Sequence, residues 1–139
     1  MLIGELGLLA VSSDFGKSWR RFEEIYPGSF FTALKTASGR WLVGGLRGHL
    51  FASTDQGWQW QQIDLPEQAS INNIYQDPQG DIYLATNSGA LLRSRDDGQS
   101  FSLVSRYKGQ ELLDLERIGD SLWITGSKGL LEVKLDGAK

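Results

Sequence analysis

The sequence contains no cysteine, one histidine, one methionine and three prolines. Without cysteine there is no disulfide, no thiol nucleophile and no thiolate metal site. A single imidazole at His49 cannot build a histidine metal cluster, and no Ser/His/Asp arrangement is readable around it. Cationic excess is missing too: 14 Lys and Arg stand against 17 Asp and Glu, a net charge of −3. That excludes the electrostatic footprint of a nucleic-acid interface, and the scatter of the basic residues argues against an anionic membrane surface. No apolar run reaches the length of a membrane span. The N-terminal stretch from Met1 to Leu6 lacks a basic region and carries Glu5, so it reads as a strand rather than a signal peptide. What the chain has in plenty is glycine, 17 residues, which suits many tight turns better than helices.

The glycines belong to a repeat. The octet S-x-D-x-G-x-[S/Q]-[W/F] occurs three times: Ser12, Asp14, Gly16 and Trp19; Ser53, Asp55, Gly57 and Trp60; Ser94, Asp96, Gly98 and Phe101. The three aspartates are 41 residues apart, and Gly7, Gly48 and Gly89 precede them at a constant distance. A decayed fourth copy keeps Gly129 and Asp136 at that distance. A period of about 40–45 residues is that of four-stranded propeller blades.

Between the boxes, apolar and polar residues alternate with period two, bounded by glycine turns. The second unit predicts strands at Phe31 to Thr36, Arg40 to Gly45, His49 to Ser53 and Gln59 to Ile63. The third predicts Ile71 to Gln76, Asp81 to Thr86, Ala90 to Ser94 and Ser100 to Ser105. The expected fold is all-β: a single propeller segment of four-stranded antiparallel blades, divided into a partial blade 1–25, blades 26–65 and 66–106, and a partial blade 107–139. That is roughly 3.4 units, too few for closed rings of about four to eight blades. A longer chain, association of copies, or an open arc with exposed edges would each account for the count.

Physically, each box aspartate is expected to close a hairpin by accepting N–H groups one to three residues on, with the serine bonding in the same turn. The glycine supplies a left-handed bend, and Trp19, Trp60 and Phe101 begin the outer strand and pack between units. A motif present at the same place in every repeat encodes what every repeat needs, which is folding. No metal or cofactor is expected at it.

These octets resemble the Asp-box, or bacterial-neuraminidase, repeat. With them, segments such as Tyr26-Pro27-Gly28-Ser29-Phe30-Phe31 and Gly44-Gly45-Leu46-Arg47-Gly48-His49 are similar to the photosystem II stability/assembly-factor-like family, its C-terminal part only. The resemblance implies a seven-bladed propeller, exported and extracytoplasmic, that acts without catalysis and assists assembly of a membrane complex. The chain has about half the length such a ring needs, which fits a C-terminal fragment of a longer precursor.

Sialidases share the box and are the enzymatic rival; a carbohydrate-binding module is a further one. Sialidase chemistry needs three arginines around the substrate carboxylate, a tyrosine–glutamate pair and an acid/base aspartate. Of eight arginines, Arg20, Arg93 and Arg95 fall beside the boxes at outer positions. Glu111, Asp114 and Glu116 form the densest acidic cluster, with Asp114 and Glu116 sharing one strand face, and Tyr75 and Lys35 fall on neighbouring inner strands. Gly44-Gly45 lacks the lysine of a phosphate loop. Recognition is expected in the unrepeated connections Glu23 to Ser29, Asp64 to Ser70 and Arg106 to Gln110, with Tyr26, Arg106 and Tyr107 as anchors for a protein partner.

Overall fold

Alternation along each second strand sends Leu42 to one face and Val43 to the other, and this sorts the core into layers lying between sheets. The computed structural model describes residues 1–135; Asp136, assigned above to the fourth repeat, lies outside them. Among the described residues fourteen strands form four antiparallel sheets. The first holds β1 (Leu2–Ile3), β2 (Leu9–Val11) and β3 (Arg20–Arg21). The second holds β4 (Phe30–Lys35), β5 (Trp41–Gly45), β6 (Leu50–Ser53) and β7 (Gln61–Ile63). The third holds β8 (Ile71–Gln76), β9 (Ile82–Thr86), β10 (Ala90–Ser94) and β11 (Ser102–Arg106). The fourth holds β12 (Leu112–Ile118), β13 (Ser121–Gly126) and β14 (Gly129–Lys134). The only helical element among the described residues is a 3-10 turn at Leu46–Gly48, and no helix is long and apolar enough to cross a membrane.

Each sheet is a meander, with sequential strands as neighbours. The inner strands carry a β-bulge at one place in every repeat, between Phe30 and Thr32, Ile71 and Asn73, and Leu112 and Asp114. The bulge puts the buried side chains of the inner strand at the first and fourth positions, as with Ile71 and Ile74 or Leu112 and Leu115.

One apolar layer lies between the second and third sheets, from Leu42, Leu50 and Ile63 to Ile71, Ile82 and Leu84. A second joins Tyr83, Leu91 and Ala85 to Leu112, Leu115, Leu122 and Ile124 of the fourth sheet. A third joins Leu9 to Phe30, Val43 and Phe51. Full burial of one such leucine or isoleucine is worth about 1.5–3 kcal/mol. These layers, and not any sheet alone, hold the arc together.

The box hairpins differ in detail from the sequence expectation. The aspartate reaches four residues on: Asp14, Asp55 and Asp96 each accept the N–H of Ser18, Gln59 and Ser100, at 2.8, 2.9 and 2.9 Å. The serine closes the tight end, its Oγ accepting the glycine N–H at 2.8 Å in all three copies and donating to the aspartate. Phe15-Gly16, Gln56-Gly57 and Asp97-Gly98 are consecutive left-handed pairs, with φ between 59° and 89°. Because the last box residues are held in this turn, the outer strands start at Arg20, Gln61 and Ser102, one residue after the aromatic side chain rather than with it.

The second and third boxes lean on the sheet before them. Trp60 meets Phe22, just beyond β3, edge-on, with centroids 6.3 Å apart, and Phe101 packs against the layer between the second and third sheets. Trp19 does not pack between units: it is 45% exposed, because no sheet precedes the first among the described residues.

Candidate interaction surface

Hydrogen bonds divide the connections between two rims. On one rim the turn between second and third strands is tied to the connection that leaves the same sheet. Gly7 N–H donates to Gly28 O at 2.9 Å, and Tyr107 N–H donates to Gly89 O at 2.8 Å. The other rim carries the first hairpins and the boxes, linked where Ser38 Oγ donates to Asp97 Oδ2 at 2.6 Å.

The first rim holds Tyr26, Arg106 and Tyr107. Tyr26 is half-buried: its ring stacks on His49 with centroids 4.1 Å apart and tilts against Phe30 and Phe51. Tyr107 is half-buried against the layer between the third and fourth sheets. Arg106 is exposed and reaches back to the preceding connection, its Nη2 lying 2.5 Å from Glu67 Oε2. Tyr26 stands in the first inter-sheet connection and Arg106 and Tyr107 at the third, and Glu67, in the connection between them, pairs with Arg106. His49, unremarkable in the sequence, is the platform under Tyr26, and its Nδ1 lies 2.9 Å from Leu46 O. No spacing rule foretells that stack, since it depends on a loop folding back over a strand end. Beside it, Arg47, His49, Asp64 and Glu67 line a cavity of about 290 Å³.

The acidic residues of β12 do not gather. Asp114 Oδ1 accepts the Asn73 side-chain amide at 2.9 Å, and Glu116 Oε1 accepts the Tyr75 hydroxyl at 3.0 Å, both across to β8. Glu111 sits before the strand, its backbone N–H donating to Ser127 Oγ. Among the described residues no three His, Cys, Asp or Glu side chains are grouped to hold a metal ion. Lys35, at the far end of β4, is exposed and lies by the first sheet rather than beside Tyr75. Arg93 and Arg95 border a cavity of about 300 Å³ at the third box, on the outer side of the arc.

Sequence reasoning passed over Asp77. Its Oδ1 accepts the N–H groups of Gln79 and Asp81, and its Oδ2 takes Arg117 Nη1 at 2.6 Å. This bond to Asp77 holds the Arg117 guanidinium charged above its ordinary range. At the boxes the hydroxyls of Ser18 and Ser100, with the neighbouring N–H groups and serines, pull Asp14 and Asp96 down to about 2, and the Gln59 N–H lowers Asp55.

No protein-family model matches the chain. A comparison with known proteins finds the photosystem II assembly lipoprotein Ycf48 of Prochlorococcus marinus (strain MIT 9313), 23% identical over 140 residues, covering 96% of this chain and 42% of that protein. Among solved structures, YCF48 bound to D1 peptide superposes with a TM-score of 0.70 at 22% identity, over 97% of this chain and 46% of that one. YCF48 from Cyanidioschyzon merolae gives 0.66 at 16% identity, over 98% and 48%. The extracellular domain of a putative one-component system from B. thetaiotaomicron gives 0.77 at 15% identity, over 93% and 18%. The chain thus spans less than half the length of each of these relatives, and the likeness establishes its fold as β-propeller blades.

Proposed function

We propose that this propeller segment, similar in sequence and fold to Ycf48, is part of a non-catalytic scaffold that binds a protein partner during assembly of a larger complex. The observation that carries the reading is the sequence likeness to an assembly lipoprotein along nearly the whole chain, together with a fold shared with a structure bound to a peptide. In this reading Tyr26, Arg106 and Tyr107 are the anchors. They stand on the rim whose connections do not repeat, and tyrosine and arginine carry interface energy more often than other residues. The repeated boxes are fasteners of the blades. Further blades complete the ring, and the protein works outside the cytoplasm, as a lipoprotein relative would.

Titration of fluorescently labelled D1 peptide against the chain tests this reading. Saturable binding is expected, weakened tenfold or more by Arg106→Ala or Tyr107→Ala. Turnover of a fluorogenic sialoside by the same preparation would instead support a glycosidase.

A further inference from the structure

A groove of about 680 Å³ lies on the outer side of the arc where the first two sheets meet. The first sheet lends it Arg20 and Arg21 of β3, then Phe22, Glu23 and Glu24; the second lends it Trp58 of its box. Both of its walls are outer elements that recur at the next junction, where the preceding sheet has all four strands. There the residue matching Trp58 is Gln99, and it too is exposed. Exposure of this position therefore belongs to the repeat and not to the first sheet's having three strands.

Residue identity opens the groove. At the junction of the second and third sheets, Ile63 is 6% exposed, and Leu65 and Phe101 pack against the apolar layer. One repeat earlier, Glu24 stands in place of Leu65 and is exposed. A carboxylate is not buried without a partner, so hydrocarbon does not close this junction as it closes the next.

Arg20 is clamped within it. Its Cζ lies 4.2 Å from the centre of the Phe22 ring and 4.3 Å from that of Trp58, and its Nη2 donates to Gln56 O at 3.2 Å. The stack fixes one face of the indole, yet Trp58 remains 72% exposed. An oriented tryptophan in that position is an apolar platform turned to water. The charges around it cancel: Arg20 and Arg21 stand against Glu23 and Glu24. Among the described residues none of the four has an opposite charge within salt-bridge distance. A lining that sums to zero does not select an ion, but it offers donors and acceptors side by side. A hydroxyl uses both, donating to a carboxylate and accepting from a guanidinium.

We infer that this groove binds a neutral saccharide, the C–H face of one hexopyranose ring lying on the Trp58 indole and its hydroxyls reaching Arg20, Glu23 and Glu24. A pyranose presents an apolar face and a rim of donor–acceptor hydroxyls together, and about 300–1,000 Å³ is the usual size of a small-ligand site. The groove meets the first rim at Ile25, but Tyr26, Arg106 and Tyr107 do not line it. This binding activity therefore stands apart from the partner binding proposed above.

Titration of the 139-residue chain with cellohexaose, maltohexaose and mannohexaose, followed through the tryptophan indole N–H resonances, tests the assignment. At least one of the three is expected to bind saturably and shift the Trp58 signal, which is identified by its loss in Trp58→Phe. That variant keeps an aromatic platform and should still bind, whereas Trp58→Ala should weaken binding tenfold or more. Glu24→Leu, which installs the residue of the next junction, should weaken it equally without lowering the melting temperature. Trp58 and Glu24 are exposed, so both replacements leave the fold intact, and unchanged signals of Trp41 and Trp123 check this. Failure of all three sugars to shift Trp58, or binding indifferent to Trp58→Ala, would overturn the proposal. So would tighter binding of decaproline than of any sugar, since the groove would then be a site for an extended peptide.

Discussion

Asp77 Oδ2 and Arg117 Nη1 lie 2.6 Å apart across the junction of the third and fourth sheets, the aspartate side chain fully withdrawn from solvent and the arginine one-tenth exposed. The pair spans two blades, so it fixes their relative position as the apolar layer alone does not. Removing one member of a buried pair leaves the other uncompensated, at a cost of about 3–5 kcal/mol. Asp77→Ala is expected to destabilise by that amount in urea unfolding, because it also frees the N–H groups of Gln79 and Asp81. Asp77→Asn keeps an Oδ1 acceptor and should cost clearly less. Equal losses for both would mean that the charge, not the turn, dominates.

Ser53 is 2% exposed and serves both as donor to Asp55 and as acceptor for Gly57 N–H. Ser53→Ala leaves a buried N–H unpaired, which costs about 1–3 kcal/mol. At about 3–4 °C per kcal/mol for a domain of this size, the melting temperature should fall by about 3–12 °C. Calorimetry should also find a smaller drop for Ser12→Ala, since the first box is more exposed.

The carboxyls of Asp14 and Asp96 sit near 2 when folded, against an ordinary 3.8. A folded value below the unfolded one means that the unfolded chain takes up protons first as the pH falls. The stabilisation they give is complete above about pH 4 and is lost between there and about pH 2. Melting measured down this range should fall more steeply for the wild type than for a Ser18→Ala, Ser100→Ala variant, whose aspartates have lost their strongest donors. Parallel curves would show that the hydroxyls do not set these values.

Gly89 and Gly80 make a matched pair for separating backbone conformation from space. Both have φ above +80°, where a side chain costs about 1–2 kcal/mol. A Cβ on Gly80 meets nothing within 4 Å, whereas on Gly89 it would lie 2.0 Å from Tyr107 O. Gly80→Ala should show only the backbone cost. Gly89→Ala should exceed it and deprotect the connection from Arg106 to Gln110 in hydrogen exchange.

The sheets were readable because glycine turns and period-two alternation recur every 41 residues, so an ambiguous segment such as Ile71 to Gln76 is resolved by its counterparts. The aspartate's reach was misjudged because an Asx turn and this longer hairpin share the same residue types; only the paired left-handed conformations at Gln56 and Gly57 distinguish them. The acids of β12 looked like a cluster because residues two apart share a strand face, but their partners, Asn73 and Tyr75, come from the strand one repeat away. The stack of Tyr26 on His49 arises from tertiary approach alone.

The lean of the second and third boxes on the sheet before them gives the stack of blades a direction. The leading and trailing faces of the arc are different surfaces, and a blade from whatever source can join only head to tail. A two-fold axis would bring like faces together and leave the box aromatics without the neighbour that Trp60 and Phe101 have, so the direction of stacking is the same at every junction of the arc.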